Sequence, residues 1–226
     1  VAFPGEGQPL AGAGGPFVRS AADLARIPAP DPASQGRWPL MLDAVSRVRE
    51  AVGPDVFVVA CFDQYPFSLA CALMGLQNAM LAATDDRPML EAVMERAAEY
   101  AVAYATSLAA AGADLLSGGD SPAGLLGPGL YRAVALPFER RVIAAVKART
   151  GRPVSLHICG NAGPVLTDMT GSGADVLELD QCTDLAEACR VVPEHIAIWG
   201  NLDPVGLLAR GSPGDVAEAT RGLVRA

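Results

Sequence analysis

The sequence predicts an α/β protein built as a (β/α)8 TIM barrel, and three observations predict this fold class. Short apolar runs alternate five times with longer segments that carry helix signals along the 226 residues, as expected for a parallel sheet covered by helices. Each apolar run ends in a polar cluster, and the carboxyl ends of barrel strands all meet at one mouth. No glycine-rich phosphate loop follows the first run, which disfavours a doubly wound sheet.

The predicted elements follow in chain order, after an arm over residues 1–39 that is rich in Gly, Pro and Ala. The predicted strands are continuous apolar runs and cover residues 56–62, 112–117, 154–159, 174–179 and 195–199. The predicted helices, most of which begin near a proline or a capping residue, cover residues 39–52, 66–81, 85–111, 137–149, 164–170, 184–190 and a segment from about 213. Five strands do not close an eight-stranded barrel. We therefore interpret residues 1–226 as one incomplete barrel domain, with 1–39 as an irregular amino-terminal arm.

Composition and charge limit the classes of function. The net charge is −8 and no cluster of Lys or Arg stands out, which argues against nucleic-acid binding. No uninterrupted apolar stretch reaches the roughly 20 residues that cross a membrane. The five cysteines are an odd number without dense spacing, as in proteins of a reducing compartment. We expect a soluble, cytoplasmic protein without disulfides, and the sequence carries no signal for its oligomeric state.

His157 and Cys159 end the third predicted strand. Residues two apart on a strand point to the same side, so the imidazole and the thiol should face together. Nitrogen and sulfur donors are the ligands that zinc prefers in tetrahedral sites. The alternative is a core cysteine beside a hydrogen-bonded histidine. The pair predicts half of a zinc site at the mouth of the barrel.

Four other polar side chains are expected at the same mouth, where they would bind substrate: Asp120, Asp180, Asn201 and Asp203. Asp180 could instead accept a hydrogen bond from His157 or begin the helix that follows it. Asp120 could cap a loop, and Asp203, which precedes a proline, suits a helix start. The sequence leaves these alternatives open.

Several segments together resemble the uroporphyrinogen decarboxylase superfamily, in order and in spacing. They are Pro66-Phe67-Ser68-Leu69-Ala70, Ala111-Gly112-Ala113-Asp114, Leu179-Asp180 and, most specifically, Gly200-Asn201-Leu202-Asp203-Pro204. The resemblance runs from about Ser20 to the end of the chain. It implies a TIM barrel in which the five visible strands are the third to the seventh.

Within this superfamily, His157-Ile158-Cys159-Gly160 is similar to the cobalamin-dependent methyltransferase branch, of the methylcobamide:coenzyme M type. The resemblance implies a zinc ion held by the His-x-Cys pair and by a second cysteine much further on. That cysteine would lie beyond residue 226, unless Cys182 replaces it. The resemblance also implies methylcobalamin or another corrinoid as methyl donor, a corrinoid protein as partner, and a thiol such as coenzyme M, or tetrahydrofolate, as acceptor.

The sequence therefore predicts a zinc-dependent methyltransferase that moves a methyl group from a methyl-corrinoid protein to a thiol or similar acceptor. The first alternative is a uroporphyrinogen decarboxylase, which acts on the acetate side chains of a tetrapyrrole. The resemblance implies that decarboxylases of this family lack the His-x-Cys pair and carry an arginine-rich segment near the amino terminus. Residues 1–226 contain no such run, and a segment before them could hold one. The second alternative is a non-catalytic relative that binds a corrinoid.

Overall fold

A computed structural model describes residues 15–225 and contains one sheet of five parallel strands. The strands lie in chain order across the sheet, so each pairs with its neighbours in sequence. They are β1 (Val59–Gln64), β2 (Leu115–Gly119), β3 (Ser155–Ile158), β4 (Val176–Leu179) and β5 (Ala197–Trp199). This order is that of consecutive strands in a (β/α) barrel, and five strands form an open arc of it. Of the predicted irregular arm, residues 1–14 lie outside the described residues.

The helices connect successive strands and cover one face of the sheet. They are α1 (Ala21–Ala25), α2 (Trp38–Val52), α3 (Pro66–Met74), α4 (Leu76–Asp85), α5 (Arg87–Ala110), α6 (Gly127–Leu130), α7 (Leu136–Thr150), α8 (Gly163–Met169), α9 (Leu185–Val191) and α10 (Pro213–Arg225). The segment between β2 and α7, for which the sequence predicts neither a strand nor a helix, is a chain of short helical turns. It contains a 3-10 helix at Ser121–Leu126 and a π-helical turn at Tyr131–Ala135 on either side of α6.

The helix predicted over residues 66–81 is two helices rather than one. Gly75 separates α3 from α4 with a φ angle of +84°, a conformation that glycine adopts without steric cost. The two helices meet at a bend of 112°. A methyl group on Gly75 would lie 3.3 Å from the ring of Pro16, so the amino-terminal arm packs against this bend. Helical periodicity continues across the glycine, which is why the pattern alone missed the break.

The two faces of the sheet differ in chemistry because successive side chains alternate between them. Leu116, Leu156 and Leu177 face the helices and are fully buried. The opposite face carries Ser117, His157 and Glu178, which are half-buried. His157 pairs in register with Glu178, which in turn pairs with Trp199. The fold therefore places the polar strand residues in a row on the concave face.

Small residues bring the helices close to the outer face. Helix α5 is long and packs against α3, α7 and β1, and its buried positions include Ala97, Ala98, Ala101 and Ala105. At β2, Gly118 leaves room for the ring of Phe62, because a methyl group there would lie 2.3 Å from Phe62 Cζ. This close packing fixes the strand ends that carry the polar residues.

Within residues 15–225, no single helix is long and apolar enough to cross a membrane. The bent pair α3 and α4 meets the requirement only when the two helices are taken together, and only by length and composition.

Candidate functional site

His157 and Cys159 meet at the carboxyl end of β3. Nε2 of His157 lies 2.9 Å from Sγ of Cys159, as the alternation of side chains along a strand predicts. His157 is half-buried on the concave face, whereas Cys159 is exposed just beyond the strand. The backbone N–H of Cys159 donates to Oγ of Ser121 at 3.3 Å, which ties this end of β3 to the turn after β2.

The imidazole of His157 is held in one orientation by the neighbouring strand. Nδ1 lies 2.9 Å from the backbone carbonyl oxygen of Glu178. A carbonyl oxygen can only accept a hydrogen bond, so Nδ1 carries the proton in the neutral ring. Nε2 then presents its lone pair to Cys159, which is the arrangement found for metal-ligating histidines. The two donor atoms are of the types that zinc prefers.

The described residues supply two ligands and do not bring a third to them. Among residues 15–225, no group of three or more His, Cys, Asp or Glu side chains is placed to hold a metal ion. Cys182 is exposed, and its thiol donates a hydrogen bond to Asp180, whose carboxylate raises the pKa of that thiol. The structure therefore does not group Cys182 with the His157–Cys159 pair as a third ligand.

Asp180 joins the ends of β3 and β4. Its Oδ1 accepts a hydrogen bond from the backbone N–H of Cys182 at 2.9 Å. Backbone N–H groups of Gly160 and Cys182 lower its pKa, and the charge of His157 makes a smaller contribution. The acceptor for His157 Nδ1 is the Glu178 carbonyl rather than this carboxylate.

Asn201 and Asp203 both bond to backbone groups near the end of β5. Nδ2 of Asn201 donates to the carbonyl oxygens of Asp180 at 3.1 Å and Thr183 at 2.6 Å. Oδ1 of Asp203 accepts from the N–H groups of Val205 at 2.9 Å and Gly206 at 2.8 Å, and so caps the turn at Pro204–Leu208. Substrate binding by Asp180, Asn201 and Asp203 stays a prediction.

Asp120 is fully buried beneath the mouth. Its Oδ1 accepts from the backbone N–H of Ser68 at 2.6 Å, which places a carboxylate at the first turn of α3, where a helix favours negative charge. Its backbone N–H donates to the carbonyl oxygen of His157 at 2.8 Å. Its expected contact with substrate stays a prediction, since the carboxyl group itself is enclosed.

A second fully buried carboxyl group, that of Glu139 in α7, lies against Asp120. Oε2 of Glu139 accepts from the hydroxyl of Tyr131 at 2.5 Å. Oδ2 of Asp120 and Oε1 of Glu139 have no hydrogen-bond partner within residues 15–225, and the two carboxyl groups are close enough to interact through a proton on one of them. Burial raises the pKa of Asp120 to about 6, and burial with the charge of Asp120 raises that of Glu139 well above its ordinary value. One proton is therefore shared between the two groups.

The concave face beside His157 forms an open cavity of about 310 Å³. Its polar lining includes Asp63, Ser117, Ser121, His157 and Glu178. Oε1 of Glu178 accepts from the hydroxyls of Ser117 at 2.7 Å and Ser155 at 2.5 Å. Sequence reasoning missed Glu178, although a carboxylate between Leu177 and Leu179 in the predicted strand 174–179 was the available signal.

Comparison with known proteins gives the family. The family profile described as "Uroporphyrinogen decarboxylase (URO-D)" matches residues 9–226. The chain is 33% identical over 190 residues to the methylcobamide:CoM methyltransferase MtbA of Methanosarcina acetivorans, a match that covers 83% of this chain and 55% of the relative. It is 32% identical over 194 residues to a uroporphyrinogen decarboxylase of Prochlorococcus marinus, covering 83% of this chain and 54% of that protein. The chain thus spans about half the length of the curated relatives it matches.

A solved structure described as a methyltransferase from Methanosarcina mazei has the same fold. It superposes with a TM-score of 0.84 at 24% identity, over 93% of this chain and 61% of that chain. The predicted barrel architecture is confirmed, with the barrel incomplete over the described residues. The profile match and the relatives together establish that this chain belongs to the uroporphyrinogen decarboxylase family.

Proposed function

We propose that this chain carries part of the site of a zinc-dependent methyltransferase, which moves a methyl group from a methyl-corrinoid protein to a thiol or similar acceptor. The observation that carries the proposal is the His157–Cys159 pair, with Nε2 of the histidine 2.9 Å from the thiol sulfur. The identity to methylcobamide:CoM methyltransferases supports it.

The chain's own residues would hold the metal and open a path to it. His157 and Cys159 would be ligands, the Glu178 carbonyl would keep Nε2 free of its proton, and Ser121 would fix the backbone of Cys159. A zinc ion bound there lowers the pKa of a thiol acceptor, so that a thiolate is present near neutral pH. The cavity of about 310 Å³ gives a small acceptor room beside the pair. Further ligands would come from residues outside 15–225, from solvent or from the acceptor.

The donor, the acceptor and the location belong to the same proposal. A methyl-corrinoid protein would supply the methyl group, and coenzyme M, another thiol or tetrahydrofolate would accept it. A cytoplasmic location agrees with five cysteines that lack disulfide spacing.

The competing function is uroporphyrinogen decarboxylation, which relatives at 32% identity carry in their names. A tetrapyrrole with many carboxylates calls for cationic side chains at its site. Among the described residues, no Lys or Arg lines the cavity beside His157. The lining instead includes the carboxylates Asp63 and Glu178, which favours the methyltransferase.

The test is zinc content by mass spectrometry of native protein, compared with His157→Ala and Cys159→Ala. Each substitution removes a ligand and should lower zinc affinity by at least about tenfold, because changes to groups that merely support a ligand already cost that much. Cys189→Ser, which alters an exposed thiol on α9, is the matched control and should keep wild-type zinc. Cys182→Ser should also keep it, because the structure does not group that thiol with the pair as a third ligand.

Wild-type zinc content in the His157 or Cys159 variant would contradict the assignment of that residue as a zinc ligand. Methyl transfer from methylcobalamin to a thiol, lost together with the zinc, is the expected activity. Turnover of uroporphyrinogen by metal-free protein would instead establish the decarboxylase. Corrinoid binding without either turnover would identify a non-catalytic relative.

A further inference from the structure

A second cavity, of about 150 Å³, lies beside the first at the carboxyl end of β1. It is formed between α2, α5 and the first turn of α3, and its lining includes Trp38, Phe62, Asp63, Gln64, Tyr100 and Tyr104. Asp63 and Gln64 also line the cavity that contains His157. The two cavities are therefore adjacent, and Asp63 borders both.

Aromatic rings form one wall of this aromatic cavity. The ring of Trp38 stacks on that of Tyr104 with centroids 4.8 Å apart, and it lies 5.4 Å from Tyr100 at a tilted angle. The hydroxyl of Tyr100 is engaged, because it donates to the carbonyl oxygen of Pro28 at 3.1 Å. Tyr104 is only 6% exposed, and within residues 15–225 its hydroxyl forms no hydrogen bond. The hydroxyl is not one of the enclosed polar atoms without a partner among the described residues, so it is accessible to solvent or to a polar ligand at the cavity wall.

Asp63 provides a negatively charged group at the edge of the aromatic cavity. It is the one residue other than glycine in the described part of the chain with a positive φ, at +77°, and it sits in a bulge where the pairing of β1 with β2 shifts between Cys61 and Gln64. Bulges at strand ends re-aim side chains and occur beside active sites. Among residues 15–225, Asp63 forms no salt bridge. Its charge raises the pKa of Tyr104, after the larger effect of burial, so the carboxylate and the phenol are neighbours.

We propose that the aromatic cavity binds the ammonium group of a small organic cation. The faces of Trp and Tyr rings attract cations, and quaternary ammonium groups are commonly bound in aromatic cages. Asp63 provides the counter-charge, and the free hydroxyl of Tyr104 an additional polar contact. No Lys or Arg among the described residues lines either cavity. Since each water molecule occupies about 30 Å³ in the liquid, the cavity fits a group of about five heavy atoms.

This site goes beyond the proposed methyl transfer and does not depend on it. Cation binding needs neither the zinc ion nor turnover, so it can be measured on metal-free protein. Loss of zinc from a His157 variant would leave the aromatic cavity intact. Failure of one proposal therefore does not imply failure of the other.

The experiment is calorimetric titration of the whole chain with tetramethylammonium chloride, with tert-butanol as a neutral molecule of similar size. We expect saturable binding of tetramethylammonium and much weaker binding of the alcohol. Asp63→Asn removes the charge and keeps a residue type that tolerates positive φ, so the bulge should persist. This variant should weaken cation binding about five- to tenfold and leave alcohol binding unchanged. Trp38→Leu should weaken cation binding by a similar factor.

Three results would overturn the proposal. They are no uptake of tetramethylammonium at millimolar concentration, binding of tert-butanol as tight as that of the cation, and wild-type binding of the cation by Asp63→Asn. Circular dichroism of both variants, expected to match the wild type, separates loss of the site from loss of the fold. If Trp38→Leu unfolds, Tyr100→Leu removes another ring of the same wall and should weaken cation binding in the same way.

Discussion

Asp120 and Glu139 bring two carboxyl groups together without access to water. Two buried negative charges would lower the free energy of unfolding, so one of the groups should keep a proton. The backbone N–H of Ser68 donates to Oδ1 of Asp120, and the hydroxyl of Tyr131 donates to Oε2 of Glu139. The second oxygen of each carboxyl group, Oδ2 of Asp120 and Oε1 of Glu139, has no hydrogen-bond partner within residues 15–225 and is free to share that proton. The pair links α3, α7 and the end of β2, and β2 carries Ser121 to the backbone of Cys159. It thus supports the floor of the candidate metal site.

The raised pKa of Glu139 predicts how stability depends on pH. An acid whose pKa is higher in the folded than in the unfolded protein binds an extra proton on folding, so its contribution is greatest at low pH and is lost as pH rises. This contribution to stability begins to decline near pH 4.5, which is the ordinary pKa of Glu. Glu139→Gln keeps both hydrogen bonds and removes this proton. Relative to wild type, the variant should gain about 1–3 kcal/mol in free energy of unfolding between roughly pH 5 and pH 7.

Urea unfolding of wild type and Glu139→Gln over that pH range measures the difference. Glu139→Ala is the control, since it leaves the hydroxyl of Tyr131 and Oδ2 of Asp120 without a partner and should cost about 2–4 kcal/mol near pH 5, where Glu139 is protonated in the wild type. Parallel curves for the wild type and the Gln variant would show that Glu139 does not titrate in this way.

For single residues, the sequence predicted positions correctly where the spacing along a strand alone determines which side chains face together. The two-residue period of a strand was enough to bring His157 and Cys159 together. Asp63 belongs to the polar cluster that ends the first predicted strand, but its bulge was missed, as were Glu139 and Glu178, for different physical reasons. The bulge at Asp63 depends on the pairing of β1 with β2. In the sequence, Glu139 cannot be told from the other charged residues of its helix. Glu178 matters because it pairs in register with His157, and this register is known only from the structure.

Elements were predicted best where one pattern covers a whole segment. Helix α5 was predicted over 85–111 and runs from Arg87 to Ala110, because Asp86 caps it and Pro88 suits its first turn. The break at Gly75 and the helical turns after β2 were missed. Both depend on packing, the first against Pro16 and the second against α3, α7 and α8, and neither contact is readable from local periodicity.

The packing of β2 on β1 gives a prediction with a matched control in adjacent glycines. Gly118→Ala would place a methyl group 2.3 Å from Phe62 Cζ, and the ring is 3% exposed and has little room to move. We expect a loss of about 1–3 kcal/mol in free energy of unfolding. In Gly119→Ala the nearest atoms lie 3.8 Å away, so the loss should stay under about 1 kcal/mol. Equal urea midpoints for the two variants would contradict this account of the packing.

For the whole molecule, the architecture followed from the alternation of strands and helices and from the polar strand ends. Strand order is that of the chain, so no crossover had to be guessed. The number of strands gave the incomplete barrel, and the match to about 55% of the length of a curated relative agrees with it. Which residues would complete the concave face beyond β1 and β5 could not be predicted, because within residues 15–225 no strand pairs with the outer edge of either one.

Stability should be distributed unevenly across this arc of strands. Strands β2, β3 and β4 have a neighbour on each side, and helix α5 buries ten of its residues against them and the other helices. Strand β5 is three residues long at the edge, with no fully buried side chain, and α10 also has none. Local opening requires little free energy where few apolar contacts are lost.

Hydrogen–deuterium exchange of the 226-residue chain, followed by mass spectrometry, should therefore find amides of β5 and α10 exchanging at least about tenfold faster than those of β3 and β4. Glu178 and the backbone carbonyl that holds His157 lie in the slowly exchanging part, whereas Asn201 follows β5. Equal protection of β5 and β3 would mean that the edge is stabilised by contacts other than those of residues 15–225. Faster exchange at the edge would leave His157, Cys159 and Glu178 on the rigid side of the fold, as a preformed metal site requires.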